Sequence, residues 1–151
     1  MAFHVDRVAT AADMAAALAV RTRVFIEEQH VPIDEEVDGF DAPSAEGVVH
    51  VLGRLDGVPI ATARLLLETH GGGYPHIGRV AVLAEHRGRG YGGEVMLALH
   101  RAARARGFAG VTLAAQTHAV GFYEGLGYVA RGPIYLDAGI EYRDMDLRLA
   151  P

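Results

Sequence analysis

A chain of 151 residues, half of them apolar and carrying a formal net charge of −5, suits one domain with a real core and is a poor nucleic-acid binder. It has no cysteine, and all 14 basic residues are arginine, which excludes disulfides, thiolate metal sites, acyl-cysteine intermediates, Schiff bases and a Walker-type phosphate loop. The only serine, Ser44, lies in an acidic stretch without the glycines of a nucleophile elbow, so the chemistry expected is direct transfer between bound substrates.

Phe3 to Val8 reads as a short strand, and Thr10 as the N-cap of a helix from Ala11 to about Phe25. The alanine-rich Thr10 to Val20 is broken by Asp13 and lacks a basic start, which makes it a poor signal peptide. No apolar run approaches the roughly 18 to 20 residues of a membrane span, so a soluble, cytoplasmic protein is expected. Eight of the 19 acidic residues fall between Glu27 and Glu46, a span without arginine. Glu28 to Gly47 reads as a loop, either solvated or able to attract a cationic amine. Within it Asp34, Glu36, Asp38 and Gly39 imitate the start of a calcium loop, but position twelve is Ala45 where a bidentate glutamate is required, so no metal is expected.

Val48 to Leu55 and Val58 to Leu67 are apolar strands around the hairpin turn Asp56-Gly57, and Gly71-Gly72-Gly73 marks a further turn. A third apolar strand runs from Ile77 to Leu83. A helix over Gly93 to Arg106 follows, with Val95, Met96, Leu99, Ala102 and Ala103 as its apolar stripe. Val111 to Ala115 is a buried-looking strand, Ala119 to Leu126 a short helix, and Tyr128 to Leu136 and Ile140 to Leu149 are strands around Asp137-Ala138-Gly139. The order β-α-β-β-β-α-β-α-β-β is mixed α/β, with no linker or repeat, and all of residues 1–151 are expected to form a single domain.

Chemistry concentrates in His86-Arg87-Gly88-Arg89-Gly90-Tyr91-Gly92-Gly93, between a strand and a helix. Four glycines in six residues let successive N–H groups converge on one point, and the helix N-terminus and the two arginines add positive charge. This is a diphosphate site. Gly88, Gly90 and Gly93 also satisfy a dinucleotide fingerprint, which would imply a nicotinamide oxidoreductase. Yet the loop sits in mid-chain, and the strand after it ends in Gln116 where an acid is needed.

Read instead as Arg87-x-x-Gly90-x-Gly92, the loop resembles the acetyl-CoA signature of the GNAT superfamily of N-acetyltransferases. Gln116 to Tyr128, containing Phe122-Tyr123-Glu124-Gly125-Leu126-Gly127-Tyr128, resembles the superfamily's later segment. Arg21 to Pro32, the acidic loop and Leu136 to Ile140 are similar to its ElaA-like branch. The resemblance covers nearly the whole chain and implies a mostly antiparallel central sheet flanked by helices. It also implies acetyl-CoA as co-substrate, no metal, and a primary amine as acceptor, attacked directly in a ternary complex. A small acceptor and a homodimer are both compatible with it. One departure stands out: where that branch continues Gly-Ile with proline and histidine, this chain has Glu141 and Tyr142.

The resemblance also implies site residues. The N–H of Val80 would polarise the thioester carbonyl, Val82 would pair with the pantetheine amides, and Val80, Ala81, Val82, the loop from Arg87 to Gly93, Gln116, Phe122 and Tyr123 would contact the cofactor. Strand alternation puts 76, 78, 80 and 82 on one side and makes His76 a candidate base. Tyr123 is the candidate donor of a proton to the departing thiolate, while Phe122 packs its helix. Glu28 matches an acid common in the branch and is the general base implied; Glu36, Asp38, His76 and His118 are rivals. His50 reads as a hydrogen-bonded core residue. His70 and His76 straddle the glycine turn without a third ligand. A fold that binds acyl-CoA without transferring it is the other function compatible with these residues.

Overall fold

The computed structural model describes residues 2–69, 71 and 73–150; the expectations placed on His70 and Gly72 lie outside them. One seven-stranded sheet has the order β1-β2-β3-β4-β5-β7-β6. Its strands are β1 (Phe3–Arg7), β2 (Val48–Leu55), β3 (Val58–Leu66), β4 (His76–Val82), β5 (Gly110–Gln116), β6 (Val129–Asp137) and β7 (Ile140–Arg148). Every pairing is antiparallel except β4 with β5. The helices are α1 (Ala11–Arg21), α2 (Ile33–Glu36), α3 (Tyr91–Ala105) and α4 (Val120–Gly125). None of them is long and apolar enough to cross a membrane.

The hairpins form where the chain tolerates left-handed backbone: Asp56-Gly57 joins β2 to β3 and Ala138-Gly139 joins β6 to β7, all four residues having φ between 49° and 84°. Alternation then sorts the two faces of β2 and β3. Leu52 packs on Met14 and Ala17 of α1, and His50, Arg64 and Thr62 share its face through cross-strand pairing. Val49, Val51, Ala63 and Leu65 turn the other way, into the cluster that holds Val95, Met96, Leu99 and Ala103 of α3. Truncating Leu99, fully buried in that cluster, should cost about 2–5 kcal/mol.

Three departures from the expected elements matter for the site. The first helix does not run unbroken to Phe25; its α-helical part ends at Arg21 and continues as a π-helical segment, Thr22–Glu28. That wider turn brings Val31 N–H onto the Phe25 carbonyl at 2.8 Å. The expected loop Glu28 to Gly47 contains α2 and a 3-10 turn at Gly39–Asp41, closed by a capping box between Asp38 and Asp41. The third departure is a bulge. Thr62 pairs with Ala81 and Arg64 with Gly78, so Arg79 and Val80 together face Ala63, and Arg79 takes φ 54°.

Candidate active site

The bulge reverses the alternation of β4. His76, Gly78 and Ala81 share the face of Arg64 and Thr62, whereas Ile77 and Val82 share that of Leu65 and Ala61. The expectation that 76, 78, 80 and 82 line one side is therefore corrected: the extra residue puts His76 and Val82 on opposite faces. On its other side β4 pairs with β5 only through His76–Thr112 and Ile77–Leu113. Beyond Ile77 the two parallel strands part, and β4 from Gly78 to Val80 opens on a cleft of about 540 Å³.

The cleft gathers residues distant in sequence. β4 supplies His76, Arg79 and Val80, β5 and the turn after it Gln116 and His118, α4 Tyr123, and the β6–β7 hairpin Tyr135, Asp137 and Tyr142. The π-helical segment and the turn after it contribute Phe25, Gln29 and His30. The branch departure at Tyr142 thus falls on the cleft wall, where Tyr142 stacks on Tyr135 at 6.1 Å.

Tyr123 is 9 % exposed, its ring edge-on to Phe122 and Tyr128. Burial pushes its phenol up to about 12, so it keeps its proton at any working pH. His76 opens to solvent on one side, while the protein packed around the other desolvates the imidazole and lowers its pKa, with Asp144 opposing. Gln116 donates to the Gln29 side chain at 3.1 Å, tying β5 to the segment after α1.

At the end of β4 stands the glycine loop. α3 begins at Tyr91, earlier than the expected Gly93, and its N-cap is Gly90 at φ 86° with no side chain capping the first turn. Gly88 is left-handed as well, at φ 78°. The first N–H groups of a 15-residue helix are thus left for a ligand. Gly92 packs closely: a methyl group there would lie 3.3 Å from the Phe122 ring. Phe122 is 42 % exposed, so it lids the start of α3 beside the loop as well as packing its own helix. Tyr91 points elsewhere, stacked on Phe3 at 4.4 Å, and Ala81 is buried, so each could meet a cofactor only through its backbone. These residues fit an acyl-CoA: uncapped donors for the diphosphate, then an open strand edge for the pantetheine arm.

Arg87 is already engaged. Both terminal nitrogens donate to Glu28, at 2.7 and 2.8 Å, and Nε donates to the Val82 carbonyl at 2.9 Å. Arg87 holds the Glu28 carboxyl below the usual carboxylate range. Glu28 is not among the residues lining the cleft. Arg89 is exposed and makes no ion pair among the described residues.

The acidic loop is where the sequence reading fails most. Arg21, 1 % exposed, donates to Glu36 at 2.7 Å and to Asp41 at 2.6 Å. Arg64 grips Asp38 at 2.8 and 2.9 Å and reaches Asp41 at 3.3 Å, while Arg79 lies 3.2 Å from Glu36. Hydrogen bonds from Arg64 hold the Asp38 carboxyl at about 2. Glu36, Asp38 and Asp41 are therefore held by arginines and not free to attract an amine, which argues against Glu36 and Asp38 as bases, while Asp34, Glu35 and most of the segment stay exposed. His50 lies under the same network and donates Nε2–H to the Phe40 carbonyl at 2.7 Å, as a core histidine does.

Comparison with known proteins agrees with this geometry. The model of the acetyltransferase (GNAT) family matches residues 14–128. YjcF of Bacillus subtilis, an uncharacterized N-acetyltransferase, is 40 % identical over 131 residues, 85 % of this chain and 88 % of that one. An acyl-CoA N-acyltransferase from Pseudomonas aeruginosa superposes with a TM-score of 0.80 at 32 % identity, over 96 % of this chain and 97 % of the other. ElaA of Escherichia coli gives 0.83 at 25 % identity, over 96 % and 99 %.

Proposed function

The chain belongs to the acetyltransferase (GNAT) family, and from that premise we propose that residues 1–151 form one N-acetyltransferase domain that moves an acetyl group from acetyl-CoA to a primary amine. The observation that carries the reading is the parting of β4 and β5 beyond Ile77, beside the Arg79–Val80 bulge, which opens one cleft lined by both Val80 and Tyr123.

In this reading the diphosphate lies on the N–H groups of the Gly88 to Gly93 turn, with Arg89 free to approach it. The pantetheine arm runs along the free edge of β4 and extends it as a further strand would. The Val80 N–H donates to the thioester carbonyl oxygen, where negative charge grows as the amine attacks. The amine nitrogen forms its bond to the carbonyl carbon, the C–S bond breaks, and the thiolate takes a proton from the Tyr123 hydroxyl. A phenol at about 12 is a weak donor to a thiolate in water. The same desolvation raises the thiol's own pKa, so the transfer is closer to balanced in place than in solution. His76 removes the proton from the amine, directly or through water; a pKa held below the ordinary imidazole value leaves it unprotonated at neutral pH. The geometry favours His76 over Glu28 because the Glu28 oxygens are spent on Arg87, away from the cleft.

The test is a panel of amines with acetyl-CoA, read by free thiol and by the mass of the product. Intersecting double-reciprocal lines support transfer in a ternary complex, and parallel lines or an acetylated enzyme that turns over would contradict it. Acetyl-CoA binding without thiol release from any amine would instead favour a module that binds the acyl donor without transfer.

A further inference from the structure

Apart from histidines, the formally charged side chains on the cleft wall are Glu35, Glu36, Arg64, Arg79 and Asp137. Arg64, Arg79 and Glu36 belong to the closed network. There Arg21, Arg64 and Arg79 face Glu36, Asp38 and Asp41, so the positive and negative charges cancel. Two carboxylates remain. Glu35 stands on α2 and Asp137 at the end of β6, both exposed, and neither makes an ion pair among the described residues. The stacked pair Tyr135 and Tyr142 lines the same cleft. After burial, the Asp137 charge is what most holds the Tyr142 phenol above its ordinary value, which puts that carboxylate beside the aromatic wall.

The charge left on this wall is negative and matches a cationic acceptor. The nitrogen that attacks a thioester has to be neutral, so a carboxylate holding an ammonium is not holding the attacking nitrogen. A monoamine in its reactive form would leave Glu35 and Asp137 unmatched, and an acceptor with its own carboxylate would be repelled. The geometry points to a diamine or longer polyamine as acceptor: one nitrogen reacts at Val80 and Tyr123, while a second, still protonated, lies between Glu35 and Asp137 against the faces of Tyr135 and Tyr142. The inference rests on the transferase reading for its first nitrogen. An ammonium over an aromatic face adds attraction to that of the carboxylates.

The experiment compares 1,4-diaminobutane with 1-aminobutane at saturating acetyl-CoA, by thiol release at low ionic strength. In parallel, 1,4-diaminobutane is titrated calorimetrically into the enzyme–CoA complex. Exposed ion pairs are weak singly, so the two carboxylates together should favour the diamine by roughly 5- to 30-fold in kcat/KM, mostly through KM. In Glu35→Gln/Asp137→Asn the ratio should fall to about one, and raised salt should erode the wild-type preference. Equal use of both amines by the wild type, or a preference that survives in the double variant, overturns the inference and leaves the transferase reading standing. If neither amine releases thiol but the diamine binds in a carboxylate-dependent way, the binding inference holds and transfer fails. Absence of both preference and binding overturns it.

Discussion

Between Ile33 and Asp41 three of the five acidic side chains, Glu36, Asp38 and Asp41, are taken up by arginines from α1, β3 and β4, and Glu36 and Asp41 are buried with them. Between Gly88 and Gly93 the opposite holds. Arg89 is exposed without an ion pair among the described residues, the glycines are exposed or half-buried, and the first turn of α3 has no side-chain cap. In the sequence the two stretches look alike, each a charged, turn-rich segment between regular elements. What separates them is whether partners arrive from elsewhere in the chain. A buried carboxylate must be paired, so the first region is a structural clamp, while the second keeps unmet donors at its surface, as a ligand site must.

The sharpest way to break this comparison is to remove one partner from the clamp. Arg21→Met would leave Glu36 and Asp41 buried against an incomplete network, and stability in urea should fall by about 3–5 kcal/mol. Arg89→Met in the open loop should change it by less than about 0.5 kcal/mol. Equal losses would mean that the loop arginine is structural too.

Turnover offers the next largest contrast. Tyr123→Phe keeps the ring and its edge-on contacts with Phe122 and Tyr128, so packing should survive. If the hydroxyl protonates the thiolate, kcat should fall by roughly 10- to 100-fold with little change in acetyl-CoA affinity, measured in single-turnover mixing so that product release does not mask the step. Unchanged turnover would take Tyr123 out of the chemistry.

A smaller effect appears in acid. Asp38 is held at about 2 against an ordinary 3.8, so the folded state binds fewer protons than the unfolded chain. The stability it contributes is present above the unfolded value and is lost as pH falls from about 4 through about 2. Because Asp38 is about a third exposed, the change should be modest. Urea midpoints against pH should fall less steeply in that window for Asp38→Asn than for the wild type; identical slopes would place the acid sensitivity elsewhere.

Much of this was legible in the residues, and the reason is locality. All seven strands fall where apolar runs and turn residues put them, because alternation and a two-residue hairpin are written in adjacent positions. The glycine loop is local in the same sense: Gly88 and Gly90 take the positive φ that their placement suggests. What could not be read depends on register or distance. The bulge exists because Arg64 pairs with Gly78 and Thr62 with Ala81, a relation between strands that neither strand states alone. The clamp needs Arg21 and Asp41 to meet across 20 positions. A count of eight acids without a neighbouring arginine therefore gave no sign that Glu36, Asp38 and Asp41 pair with arginines from elsewhere, two of them buried. Tyr91 lies within the signature but stacks on Phe3 from the far edge of the sheet. Gly110 gave no signal either, although a methyl group there would lie 2.7 Å from the Leu147 carbonyl oxygen.

The claim that the open loop is the acyl-donor site is tested most directly by acetyl-CoA binding to the wild type and to Gly90→Asp, followed by thermal unfolding. Gly90 is exposed, with nothing within 4 Å of an added Cβ, so the variant meets no clash, although φ 86° imposes some backbone strain. A ligand at a hundred-fold excess over Kd stabilises the native state by about 2.7 kcal/mol. The wild type should show that shift, and a folded Gly90→Asp variant, with a carboxylate set at the start of α3, should show none. A full acetyl-CoA shift in the folded variant would mean that the acyl donor binds elsewhere.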